Sequence, residues 1–145
     1  MEAIRVKRLK EKAMLPTYGS LEAAGADLYA CLEEAVTIHP GESVFIPTGI
    51  ALEVPKGCAG LIYARSGMAV KRGLAPANKV GVIDSDYRGE IIVVLLNHGS
   101  CDQVVEHGER IAQLVITPVL QPGYVEADSL TDTERDAGRF GSTGK

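Results

Sequence analysis

Two carboxylates, an aromatic ring and a guanidinium crowd into one short run, Val80-Gly81-Val82-Ile83-Asp84-Ser85-Asp86-Tyr87-Arg88-Gly89-Glu90-Ile91-Ile92-Val93-Val94. At the mouth of a tight turn such groups can hold a general base, a cation and a stacking surface within a few ångströms of one another. Val80, Val82 and Ile83 lead into the bend and a β-branched run leaves it, which predicts a β-hairpin. Taken alone, the same residues also suit a solvated turn, because Asp and Ser favour turns for backbone reasons.

Three further groups have chemistry to offer. Arg65-Ser66-Gly67 precedes the one helical candidate, Gly67–Arg72, which Ser66 is expected to cap and Gly73 to stop. A helix start presents amide donors and partial positive charge to an anion such as phosphate, although Arg-Ser-Gly is also an ordinary cap. Arg110 and Gln113 share a predicted strand but stand three apart, so they are expected on opposite sides. Phe140-Gly141-Ser142-Thr143-Gly144 combines close backbone approach, hydroxyl donors and a ring that can stack on a base; its composition equally describes a floppy tail. Arg65, Arg110, Arg135 and Arg139 supply cations, and Asp27, Asp84 and Asp86 supply acid, as an enzyme for a triphosphate with magnesium requires.

The elements that must position these groups are short. Ile4, Val6 and Leu9 give a first weak alternation, which Pro16-Thr17-Tyr18-Gly19-Ser20 breaks. Extended runs follow at 25–30, 35–38, 44–46, 49–54 and 60–64, punctuated by Pro40, Gly41, Pro47, Pro55 and Gly57, too brief and interrupted for helices. Val104-Val105 and Arg110–Thr117 complete the set. Many short strands with one short helix predict an all-β sandwich or barrel of jelly-roll type.

The chain has 145 residues, suiting one domain, and no compositional break marks a linker. With no Trp and few aromatics, the core must come from Val, Ile, Leu and Ala. The net charge of −4 argues against general nucleic-acid binding, which needs a basic face. Three cysteines without a C-x-x-C spacing and three scattered histidines suggest neither disulfides nor a zinc site, so a reducing, intracellular setting fits. No apolar run suggests a signal segment or a bilayer span.

In order along the chain, Ala24–Ala30, Ala64–Ala69, Val80–Gly89, Gly108–Leu114 and Arg135–Gly144 resemble the five motifs of trimeric dUTP pyrophosphatases (dUTPases), a likeness that covers nearly the whole length. The resemblance implies a distorted jelly-roll (β-clip) homotrimer that hydrolyses dUTP at three sites, each built from more than one chain, in the cytoplasm and without nucleic-acid or membrane partners. It also implies roles: Asp84 as general base, Tyr87 against the deoxyribose, Asn78 and the backbone around Gly81 on uracil's edge, and Arg65, Ser66, Gly67 and Gln113 on the phosphates. Asp27 would reach Mg2+ through water, and residues 135–145 would close as a lid, with Phe140 on the uracil and Arg135, Gly141, Ser142 and Thr143 near the phosphates.

Ala64 stands where the family often has Pro, which should matter little because Pro there fixes only local backbone; Asp136 and Arg139 stand where Gly is usual, the first placing a carboxylate near a polyanion and the second a charge to offset it. A dCTP deaminase shares a related fold but tends to carry a second Ser at the place of Gly67 and to lack such a tail. A nucleotide-sensing regulatory protein, against which Asp84 and Gln113 speak, and a purely structural β-trimer, which pyrophosphate release from dUTP would end, are the remaining alternatives.

Overall fold

The protein is described by a computed structural model over residues 3–139. In chain order it forms β1 (Val6–Arg8), β2 (Thr17–Tyr18), β3 (Ala26–Tyr29), β4 (Val36–Ile38), β5 (Ser43–Pro47), β6 (Ile50–Leu52), β7 (Cys58–Tyr63), α1 (Ser66–Arg72), β8 (Leu74–Pro76), β9 (Gly81–Ile83), β10 (Ile92–Asn97), β11 (Gln103–Val105) and β12 (Arg110–Pro118). The sequence places most of these elements; β2, inside the stretch read as a break, and β8 were not foreseen.

Five strands in the order β2-β3-β12-β7-β9 make the largest sheet, and β5-β10-β8 make a second, with β1-β6 and β4-β11 as two-stranded ribbons. All pairings are antiparallel. The result is the expected all-β jelly-roll with one short helix. Alternation drives it: β10 turns Val93, Leu95 and Asn97 inward and Ile92, Val94 and Leu96 outward. Leu28, Ile38, Ile46, Ile50, Leu74, Ile91, Leu95 and Ile111 are fully buried at the centre, and among the described residues no aromatic ring joins them. Among the described residues, no helix is long and apolar enough to cross a membrane.

Two local expectations need correction. The helix begins at Ser66, not after it; Arg65 holds the N-cap position in an extended conformation and no side chain caps the helix. Its C-terminal stop is as expected, with Gly73 at φ 66°, where an added Cβ would stand 2.8 Å from the Gly99 backbone nitrogen. The strands flanking Asp84 do not form a hairpin with each other. β9 pairs with β7, and β10 pairs with β5 and β8, so residues 84–91 cross from one sheet to the other. Ile91 explains the divergence: its amide donates to the Ile50 carbonyl (2.8 Å) and its own carbonyl accepts from Thr48 N (3.2 Å), which draws the outgoing arm away from β9.

Candidate active site

One group of predicted residues gathers where β3, β12 and α1 meet. Register sets Gln113 opposite Asp27 on one side and Tyr63 on the other, so all three share a face of the sheet. Arg110 joins them, against expectation. Pairing of β12 with β3 shifts between Arg110 and Ala112, and the extra residue of this β-bulge reverses the alternation, bringing Arg110 to the side of Gln113. Arg65 donates from Nε to Asp27 Oδ1 (2.7 Å) and from Nη1 to the Arg110 carbonyl (3.4 Å), while Arg110 Nη1 reaches Asp27 Oδ2 (3.4 Å). Asp27 is 8% exposed, and a buried carboxylate is tolerated when paired in this way. Two guanidiniums against one carboxylate leave the pocket with excess positive charge. Gln113 donates from Nε2 to the Ala64 carbonyl (2.9 Å). Its amide lies on Gly25, where an added Cβ would sit 2.5 Å from Oε1. With Gly19, Ala23, Ser66 and Gly67 these residues line a cavity of about 220 Å³, with Ser66 and Gly67 open to solvent.

A second cavity, of about 230 Å³, opens beside β9 and holds Asn78, Gly81, Asp84, Tyr87, Glu90 and Ile92 in its wall. The Tyr87 hydroxyl donates to the Glu90 carbonyl (3.0 Å), folding the ring across Gly89 so closely that any side chain there would collide with it. Tyr87 N donates to the Asp84 carbonyl (3.2 Å), and Arg88 Nη1 donates to the carbonyls of Ser85 (2.8 Å) and Tyr87 (2.9 Å), so the bend is pinned from within. Asp84 is exposed, and among the described residues its carboxylate has no ion pair. Gly81 lets Asn78 approach: a Cβ would meet its Nδ2 at 3.2 Å. The wall therefore offers a carboxylate, a half-exposed ring and an amide along a backbone edge, which is what a pyrimidine nucleoside and an attacking water require.

A match to the dUTPase family profile spans residues 11–144. The chain belongs to the dUTPase family. Over 141 residues it is 50% identical to the deoxyuridine 5'-triphosphate nucleotidohydrolase of Syntrophotalea carbinolica, covering 97% of this chain and 96% of that one. It is 52% identical over 149 residues to the enzyme of that name from Desulfitobacterium hafniense, with 99% of each covered. A dUTPase variant of Staphylococcus bacteriophage 80alpha, solved with dUpNHpp, superposes with a TM-score of 0.91 at 28% identity over 100% of both chains. A mutant dUTPase of phage phi11 of S. aureus, whose structure reveals the coordination of a structural Mg(II) ion, aligns with a TM-score of 0.80 at 25% identity, covering 88% of this chain and 98% of that one.

Set on this dUTPase frame, the predicted site residues fall into separate groups. Arg65, Ser66, Gly67, Gln113 and Asp27 share the first cavity, Asn78, Gly81, Asp84 and Tyr87 share the second, and no lining residue is common to both. Arg135 belongs to neither; its Nε donates to the Gly138 carbonyl (3.3 Å) in an exposed turn. Phe140, Gly141, Ser142 and Thr143 lie outside the described residues. Asp136, at a place where the family usually has Gly, has φ 43°, a left-handed conformation that Asp tolerates and Gly prefers. Both Asp27 oxygens accept from guanidiniums, which leaves a cation the water-mediated contact that the resemblance implies, and among the described residues no three His, Cys, Asp or Glu gather to hold one directly. Sequence reasoning missed Gly25, although its motif had been singled out, because the need for a bare Cα appears only when Gln113 packs on it. It missed Gly19 and Ala23 for want of any signal.

Proposed function

We propose that the chain hydrolyses dUTP to dUMP and pyrophosphate by in-line attack of water on the α-phosphorus. The observation that carries this reading is the pair of half-sites in one dUTPase-family chain: a carboxylate–tyrosine cavity suited to a nucleoside and an arginine–glutamine cavity suited to phosphates. Asp84, exposed and free of ion pairs among the described residues, accepts the proton of the attacking water. Tyr87, held over Gly89, packs against the deoxyribose and leaves no room for a 2′-hydroxyl. Asn78 and the backbone at Gly81 pair with uracil's edge and exclude a 5-methyl group. The Ser66 hydroxyl, the Gly67 backbone, Arg65 and the remaining amide hydrogen of Gln113 bind the phosphates, and Asp27 keeps Arg65 and Arg110 in place. Asp27 would reach a magnesium ion through water, and the ion, held with the substrate phosphates, would supply neutralisation of their charge. Residues 135–145 act as the lid of this single domain, Arg135 and Phe140–Thr143 completing the site. The nucleotide pool it acts on is cytoplasmic, in keeping with Cys31, Cys58 and Cys101 being free thiols.

The halves of one chain do not meet. From strand spacing and register, the backbones of Asp84 and Gln113 lie about 16 Å apart, and the cavities that hold them have no lining residue in common. A site built between copies removes the difficulty and accords with a homotrimer. The outward face of β5-β10-β8 supports such an assembly: Phe45, Pro47, Ala75, Ile92, Val94 and Leu96 form it without a charge, Phe45 being 70% and Ile92 42% exposed. Ile92 also lines the nucleoside cavity, so this face adjoins it.

The test is release of pyrophosphate from dUTP, dTTP, dCTP and UTP, with and without magnesium. Selective release from dUTP is expected, and its absence, or ammonia released from dCTP, would overturn the reading.

A further inference from the structure

Helix α1 is weakly held by packing. It has seven residues, Met68 is its one buried side chain, and no side chain caps its start. A helix this short does not persist on its own. Beside it, an open depression of about 420 Å³ lined by Tyr29, Arg65, Met68, Arg72 and Gly108–Arg110 separates one flank of the helix from the start of β12, so packing on that flank does not fix the distance. Polar ties do so at both ends. At the start, Arg65 grips Asp27 and the Arg110 carbonyl. At the end, Arg72 uses all three guanidinium nitrogens: Nε donates to Gln103 Oε1 (3.1 Å), Nη1 to Glu109 Oε2 (2.9 Å) and Nη2 to the Val104 carbonyl. Glu109 immediately precedes Arg110 and the β-bulge that turns Arg110 toward Asp27. Both ends of the helix are thereby tied to the segment that carries the phosphate pocket.

We infer that Arg72 is a positioning residue for the triphosphate: its three-point grip on β11 and Glu109 sets the seat of α1 and so the placement of Ser66 and Arg65 against Gln113. It does not touch substrate. It is absent from the wall of the phosphate cavity, and each of its nitrogens already has an acceptor. Lysine cannot replace it, because one ammonium does not reproduce a planar fork aimed at three acceptors. This inference rests on the dUTP reading above for its ligand but not for its mechanics.

The experiment compares Arg72→Lys, Arg72→Met and Glu109→Gln with the wild type in the full-length assembled protein. Each is titrated with a non-hydrolysable dUTP analogue plus magnesium and with dUMP, and amide hydrogen exchange over residues 66–72 is followed without ligand. Each variant is expected to bind the analogue roughly tenfold more weakly, the size of one lost charge-assisted hydrogen bond, with dUMP affinity little changed and exchange in α1 faster. A lowered melting temperature with an unaltered ratio of analogue to dUMP affinity would overturn the inference, as would equal loss for both ligands or unchanged exchange in α1. Should the Arg72 variants fail to fold, Glu109→Gln, which keeps the shape and removes the charge, decides alone. If the wild type binds neither nucleotide, the dUTP reading falls while the exchange result still judges the clamp.

Discussion

Asp84 and Gln113 have different kinds of freedom, and their assigned roles follow from it. A carboxylate with no ion pair among the described residues keeps its lone pairs for water, whereas an amide that has already donated to Ala64 and rests on Gly25 is fixed in place. Asp84→Asn is therefore expected to leave folding and nucleotide binding nearly intact and to lower turnover by about two to four orders of magnitude, the usual worth of a general base. Steady-state rates beside analogue titrations check this, and near-wild-type turnover would refute the role. Tyr87 is judged by a ratio instead. Tyr87→Ala removes the ring held over Gly89, so the preference for dUTP over UTP, read as the quotient of kcat/KM values, should shrink. A constant quotient would move sugar discrimination to another residue.

At the scale of elements, His39 and Asp102 link the turn after β4 to the start of β11, with Nδ1 and Oδ1 2.8 Å apart. The hydrogen bond from Asp102, and then its charge, raises the His39 pKa above the ordinary value. A histidine with a raised folded-state pKa contributes stability that is complete below the unfolded value near 6.5 and fades as pH climbs through the folded value. The pair is exposed, so the effect is small. Asp102→Asn should flatten the fall of the melting temperature as pH rises above the ordinary histidine value of about 6.5, and a profile as steep as wild type would exclude the pair as its source. Periodicity made most strands legible in the sequence, because short alternating runs between Pro and Gly have few other ways to fold. What periodicity could not carry was parity and partnership. The bulge at Arg110–Ala112 inverts the faces of β12, and the partners of β9 and β10 depend on contacts with β7, β5 and β8 far away in the chain. The site residues were legible as types and motifs; their division between two cavities was not, since that depends on sheet order.

That division sets the clearest test at the scale of the molecule. If nucleoside and phosphate halves come from different copies, a variant damaged in one half is complemented by a variant damaged in the other. Asp84→Asn spoils the nucleoside cavity, and Gln113→Ala removes the amide that lies between Ala64 and Gly25 in the phosphate cavity. Each is expected to be nearly inactive as a pure assembly. Unfolded together in equal amounts and refolded as mixed trimers, they should recover about a quarter of wild-type activity, because each site draws its two halves independently from a one-to-one pool. Mixing without unfolding should restore little until subunits exchange. A site confined to one chain predicts no recovery at any ratio, since every chain would then carry one lesion in its own site. The apolar face makes a linked demand. Phe45→Glu places a charge in the uncharged β5-β10-β8 surface and should release the chains from one another, abolishing turnover although Phe45 lines neither cavity. Sedimentation beside the dUTP assay reads both effects: a monomer with full activity would return the whole site to a single chain, and an intact trimer without activity would show that Phe45 acts on catalysis by another route.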